Sequence, residues 1–92
     1  MKEFDKYMWH DIRKNPEDLP VEDCKVLRAN GYGGGRYVYD TVYFSNNLYE
    51  VDEYDFYDCK GLSGFYAYDT EWGYYTVGLD AWKYIEPFVE VE

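Results

Sequence analysis

RYVYDTVYF, residues 36–44, is the stretch on which the fold turns. Valine, tyrosine, threonine and phenylalanine all favour a pleated backbone, and no glycine or proline interrupts them. The alternation has a period of two. Tyr37, Tyr39, Thr41 and Tyr43 share one face; Val38, Asp40, Val42 and Phe44 share the other. Upstream, CKVLRAN (24–30) has the same character and is joined by the flexible turn GYGGG (31–35). Downstream, Ser45-Asn46-Asn47 reads as a turn, and LYEV (48–51) is expected to pair back as a strand. Residues 52–64 are polar and irregular and form the longest expected loop. GFYAYDT (64–70) and GYYTVG (73–78) read as a second hairpin turning near Thr70-Glu71, and AWKYI (81–85) as a last strand before Pro87.

Outside that block the pattern changes. MKEFDKYMW (1–9) places Phe4, Met8 and Tyr7 at helical spacing, which predicts one short N-terminal helix. Residues 10–23 read as an ordered loop, because Pro16 and Pro20 disfavour helix before them and Leu19 supplies an apolar anchor. Ninety-two residues make one domain, 1–92. The expected fold is mainly β or α+β, with a single small antiparallel sheet or partly open barrel and at most one short N-terminal helix. Its expected core joins Trp9, Leu19, Val26, Val38, Val42, Phe44 and Trp82, closing the N-terminal loop onto the last strand.

Charge divides the chain. Residues 1–36 hold seven acids and seven bases, whereas residues 37–92 hold twelve acids against Lys60 and Lys83. The formal charge of -10 therefore lies in the second part, together with eleven of the thirteen tyrosines. Carboxylates repel nucleic acid and attract basic partners, and tyrosine adds stiff contact area with a polar tip. The densest stretch is Asp52-Glu53-Tyr54-Asp55-Phe56-Tyr57-Asp58. These observations nominate Asp52, Glu53, Asp55, Asp58, Tyr37, Tyr39, Tyr43, Tyr54 and Tyr57 as partner-contacting residues. The expected partner is a basic protein. Direct nucleic-acid binding and membrane insertion are not expected, and no stretch approaches the roughly 20 apolar residues of a spanning helix. With a charged N-terminus that does not resemble a leader, the reading is a cytoplasmic protein.

Signals for chemistry are sparse. His10 is the one histidine, and no nucleophile motif accompanies it. Cys24 and Cys59 lack metal-ligand spacing, and a single bridge between them stays open. The acidic run lacks the glycine and terminal glutamate of a calcium loop. Gly31-Tyr32-Gly33-Gly34-Gly35-Arg36 has neither the lysine nor the following helix of a phosphate cradle. No catalytic residue, metal or cofactor is expected. The alternative function class is a carbohydrate- or small-ligand-binding module that stacks its ligand on a tyrosine and tryptophan platform.

Both ends of the chain resemble a known family. WHDIRKNPEDLP (9–20), followed by the Lys25-Val26-Leu27 strand, is similar to the opening of small uncharacterised phage and prophage proteins of Firmicutes, close to domain of unknown function 551. Asp80-Ala81-Trp82-Lys83-Tyr84-Ile85-Glu86-Pro87-Phe88 resembles their close. The likeness covers about a third of the chain; the glycine-rich turn and the DEYDFYD run depart from it. It implies a mobile-element setting rather than a mechanism. In such a setting, it is the acidic, tyrosine-rich second part of the chain that leads to the expectation of a protein that binds a basic host protein as a nucleic-acid mimic or inhibitor. The resemblance supplies no catalytic residues.

Overall fold

The computed structural model describes residues 7–86. Six strands form one open antiparallel sheet: β1 (His10–Asp11), β2 (Cys24–Gly33), β3 (Arg36–Ser45), β4 (Gly64–Asp69), β5 (Gly73–Thr76) and β6 (Ala81–Tyr84), with a single helical turn, α1 (Leu48–Val51). The spatial order is β1-β6-β2-β3-β4-β5. The mainly β expectation holds, in the open-sheet form. The expected N-terminal helix falls largely on residues 1–6, outside the described residues.

The β2–β3 hairpin is the spine. Its ten-residue strands pair from Cys24↔Phe44 to Gly33↔Arg36, with an irregularity between Gly31 and Gly33. Gly33, Gly34 and Gly35 all take positive φ, which explains a turn built of glycines. β4 pairs with β3 only at Tyr43, Phe44 and Ser45. The β4–β5 ribbon therefore departs from the spine at its base. The chain returns from β5 along Phe65, whose carbonyl accepts from the Val77 N–H. It reaches the far side of the spine where the Asp80 N–H meets the Ala29 carbonyl. β6 then inserts between β1 and β2.

Strand alternation places His10, Trp82, Tyr84, Val26, Val42, Phe44 and Phe65 on one face, called here the core face. Val26, Val42, Phe44, Phe65 and Trp82 form its buried cluster, with Ile12, Leu19, Val77 and Leu79 packed against it. Residues 12–23 strap this face. The Trp82 indole N–H donates to the Asp18 carbonyl at 2.7 Å, so the buried ring leaves no unsatisfied donor.

Four expectations need correction. Trp9 is 42% exposed, because His10 points into the core and its neighbour must point the other way. Val38 is 51% exposed; it shares the core face but lies in the half of β3 that β4 does not reach. LYEV is a helical turn rather than a strand. The Leu48 N–H bonds the Leu62 carbonyl, and Leu48 is buried, so the end of the loop holds this segment. His10–Asp11, expected in a loop, is a short edge strand on β6.

Candidate functional site

The second face of the sheet is covered in part by residues 46–63. Asp23, at the end of the strap, holds the entry: its carboxylate accepts from the Asn46 N–H at 2.7 Å and from the Ser45 hydroxyl at 3.3 Å. Asn47 Oδ1 accepts from the Gly61 N–H at 2.9 Å, tying the two ends of the segment. Within it, Asp52 Oδ1 accepts from the N–H groups of Tyr54 and Asp55 at 2.8 and 3.1 Å, a side-chain-capped turn. Phe56 is buried against Tyr66 and Tyr74. Asp55 Oδ2 accepts from the Tyr74 N–H at 3.0 Å. A Cβ on Gly73 would lie 2.6 Å from that oxygen, and Gly73 has φ +79, so the docking depends on glycine there.

Two of the four clustered carboxylates, Asp52 and Asp55, are thus committed to the loop's own backbone and to β5. Glu53 and Asp58 remain outward, beside Tyr54 at 88% and Tyr57 at 75% exposure. Asp58 also touches Cys59, whose thiol donates to Oδ1 at 3.4 Å. Desolvation first, and then this carboxylate, hold the Cys59 thiol above its ordinary value. Lys60, its other neighbour, instead places its ammonium 5.6 Å from the Tyr49 ring. Cys24 and Cys59 are not bridged.

The three β3 tyrosines belong to a chemically different patch. The Tyr37 hydroxyl accepts from Arg13 Nη1 at 3.0 Å. Tyr39 lies 5.9 Å from Trp9, over which Lys83 sits at 5.4 Å. Tyr43 stacks on Tyr66 at 5.5 Å and receives Lys25 at 5.6 Å. On this face β1, β2, β3 and β6 present one carboxylate, Asp11. Its side-chain bond from Arg13 is the main cause of a pKa lowered to about 2. The single acidic and tyrosine-rich surface expected from the charge division is therefore two patches, joined through Tyr43, Tyr66 and Phe56. One is acidic at the loop; the other is laced with cations on the sheet. Cross-strand neighbours decide this: Lys25 faces Tyr43, and Lys83 faces Leu27. Neither relation is visible in a linear charge count.

His10 is committed elsewhere. Its ring stacks on Trp82 at 4.1 Å and 7°, and Nδ1 lies 2.9 Å from Asp18 Oδ2. Nε2 is buried with no hydrogen-bond partner. This ring helps hold the strap down. Among the described residues no group of three or more histidine, cysteine, aspartate or glutamate side chains is placed to hold a metal ion, and no helix is long and apolar enough to cross a membrane. The exposed rings outside the nominated set are Trp9, Tyr32, Tyr68, Trp72 and Tyr75. Trp72 sits in the β4–β5 turn, where Asp69 Oδ1 accepts from the Glu71 and Trp72 N–H groups. A turn flanked by an acid and a glycine is the signal that placed it at the surface. No protein-family model, curated protein or solved structure matches the chain.

Proposed function

We propose that this is a non-enzymatic interaction protein that engages a basic protein surface through the outward side of the 52–58 loop. The observation that carries the reading is the exposure of Tyr54 and Tyr57, between the outward Glu53 and Asp58, on a backbone already fixed by Asp52 and Asp55. A contact loop ordered in advance loses little entropy on binding. Tyrosine is a frequent anchor residue at interfaces. Flanking carboxylates speed encounter with lysine- and arginine-rich surfaces. In the sharper form, those carboxylates take the positions of phosphates and the protein acts as a nucleic-acid mimic or inhibitor. The phage or prophage setting, with a host target inside the cell, rests on the resemblance at the two ends of the chain.

The sugar-binding alternative ranks second on geometry. Trp9 and Tyr39, the exposed ring pair on the sheet, are tilted by 46° and offer no shared flat platform.

The test is binding to the host protein captured from a bacterial lysate, measured with purified components. Affinity should fall as salt rises. Glu53→Lys with Asp58→Lys should weaken it further, as should Tyr54→Ala with Tyr57→Ala, all without loss of folding. Nucleic acid should compete for the target in the mimic form. An affinity unmoved by salt and by both double variants would refute the reading.

A further inference from the structure

The upper half of β3 has one unoccupied edge. β2 pairs with it along its whole length, whereas β4 stops at Tyr43. Residues 36–42 therefore present unpaired backbone groups; β3 carries no proline there, and the irregularity of the hairpin, between Gly31 and Gly33, lies on β2 rather than on the free edge. Val38, Tyr39 and Asp40 are all exposed there.

This edge is self-complementary. The sequence Arg36-Tyr37-Val38-Tyr39-Asp40 reads as charge, ring, valine, ring, opposite charge. If a second copy runs antiparallel with Val38 opposite Val38, then each Arg36 faces the neighbour's Asp40 and each Tyr37 faces the neighbour's Tyr39. Opposite charges and aromatic pairs are both favourable directly across strands. Arg36 is exposed and forms no ion pair among the described residues, so it is available. Asp40 accepts two bonds from Arg28, at 2.8 and 2.7 Å, yet stays 49% exposed. A carboxylate has lone pairs for a second guanidinium. The register also limits side-chain crowding at the turn. It sets Thr41 and Val42 opposite the neighbour's Gly35 and Gly34, which carry no side chains where the β4–β5 ribbon departs. The contact lies near the boundary between the neutral and acidic parts of the chain, away from the 52–58 loop.

We infer that the chain self-associates into a two-fold dimer by antiparallel pairing of the β3 edges about Val38. The contact is isologous, so it closes at two copies. One strand pair is a small interface, and the dimer is accordingly a weak, concentration-dependent one.

Sedimentation equilibrium over a wide concentration range tests this. The mass should climb from 11.1 kDa towards twice that value. Arg36→Glu places an acid opposite each Asp40, and Asp40→Lys places a base opposite each Arg36; each alone should weaken association by on the order of tenfold or more. An equimolar mixture of the two should recover it, since in the mixed dimer the new acid meets the new base and Asp40 meets Arg36. Asp40→Lys also removes the partner of Arg28, so a thermal melt must accompany it. Val38→Lys, at an exposed position, sets two ammonium groups against each other and should abolish the dimer without altering the melt. A single 11.1 kDa species at every concentration would overturn the inference. So would a dimer that survives both Arg36→Glu and Val38→Lys, or folded charge variants that do not recover association when mixed.

Discussion

The two covers of the sheet are built on different physics. The strap over the core face is held by apolar burial: Trp82 and Phe44 are nearly inaccessible, and Leu19 and Ile12 lie over them. The 46–63 segment over the second face has two buried apolar anchors, Leu48 and Phe56, and otherwise depends on carboxylates and amides that accept backbone N–H groups. The first cover stabilises the domain. The second fixes the shape of a loop whose outward rings gain nothing from folding. Burial is non-directional and tolerates small shifts in chain path, whereas hydrogen bonds specify a path. A segment that must present Tyr54 and Tyr57 in one arrangement is better held the second way.

Removing Trp82 should have the largest effect on this comparison. Trp82→Ala deletes the ring that the strap, His10, Phe65 and Tyr84 all contact. It should cost about 3–5 kcal/mol, enough to unfold a small domain, as read by urea denaturation. Phe56→Ala removes a ring equally buried but local to the loop. About 3 kcal/mol is expected from the ring alone. Hydrogen exchange should show the loop amides opening while those of Val26 and Val42 stay protected. Simultaneous loss of both sets would mean that the two covers form one cooperative unit.

Gly73→Ala comes next. The positive φ costs about 1–2 kcal/mol for any residue with a Cβ, and the Asp55 contact must also shift. The melting temperature should drop, and partner affinity should drop with it if the loop is displaced. Acidification gives the smallest effect. The side-chain bond from Arg28 lowers the Asp40 pKa below its ordinary value of 3.8. A carboxylate lowered in the folded state contributes stability above its unfolded value, and that contribution is lost as pH falls from 3.8 through the folded value. Asp40 is half exposed, so the loss should be no more than about 1 kcal/mol. A melt series through that range in wild type and Asp40→Asn isolates it.

Period-two alternation in residues 24–30, 36–44 and 64–76 was enough to determine an antiparallel sheet, and the glycines to determine its main turn. Those signals are local, carried by residue types that favour one backbone region. The burial of Val26, Val42, Phe44 and Trp82 was legible for the same reason. Tertiary structure alone decided the rest. LYEV is too short for its period to separate strand from helix, and Leu62 settled the matter by bonding Leu48. Trp9 has the composition of a core residue, yet pairing of β1 with β6 chose His10 for the inside. The acidic run looked uniform, but contact with the β5 backbone turned Asp55 into a docking group and left Tyr54 and Tyr57 outward. Most of all, the acid and tyrosine surface that seemed continuous along the chain separated into two patches. Strand order brings Lys25 beside Tyr43, Arg13 beside Tyr37 and Lys83 beside Trp9, aromatic rings far from them in sequence. Charge adds along the chain, but electrostatic environment depends on distance in space.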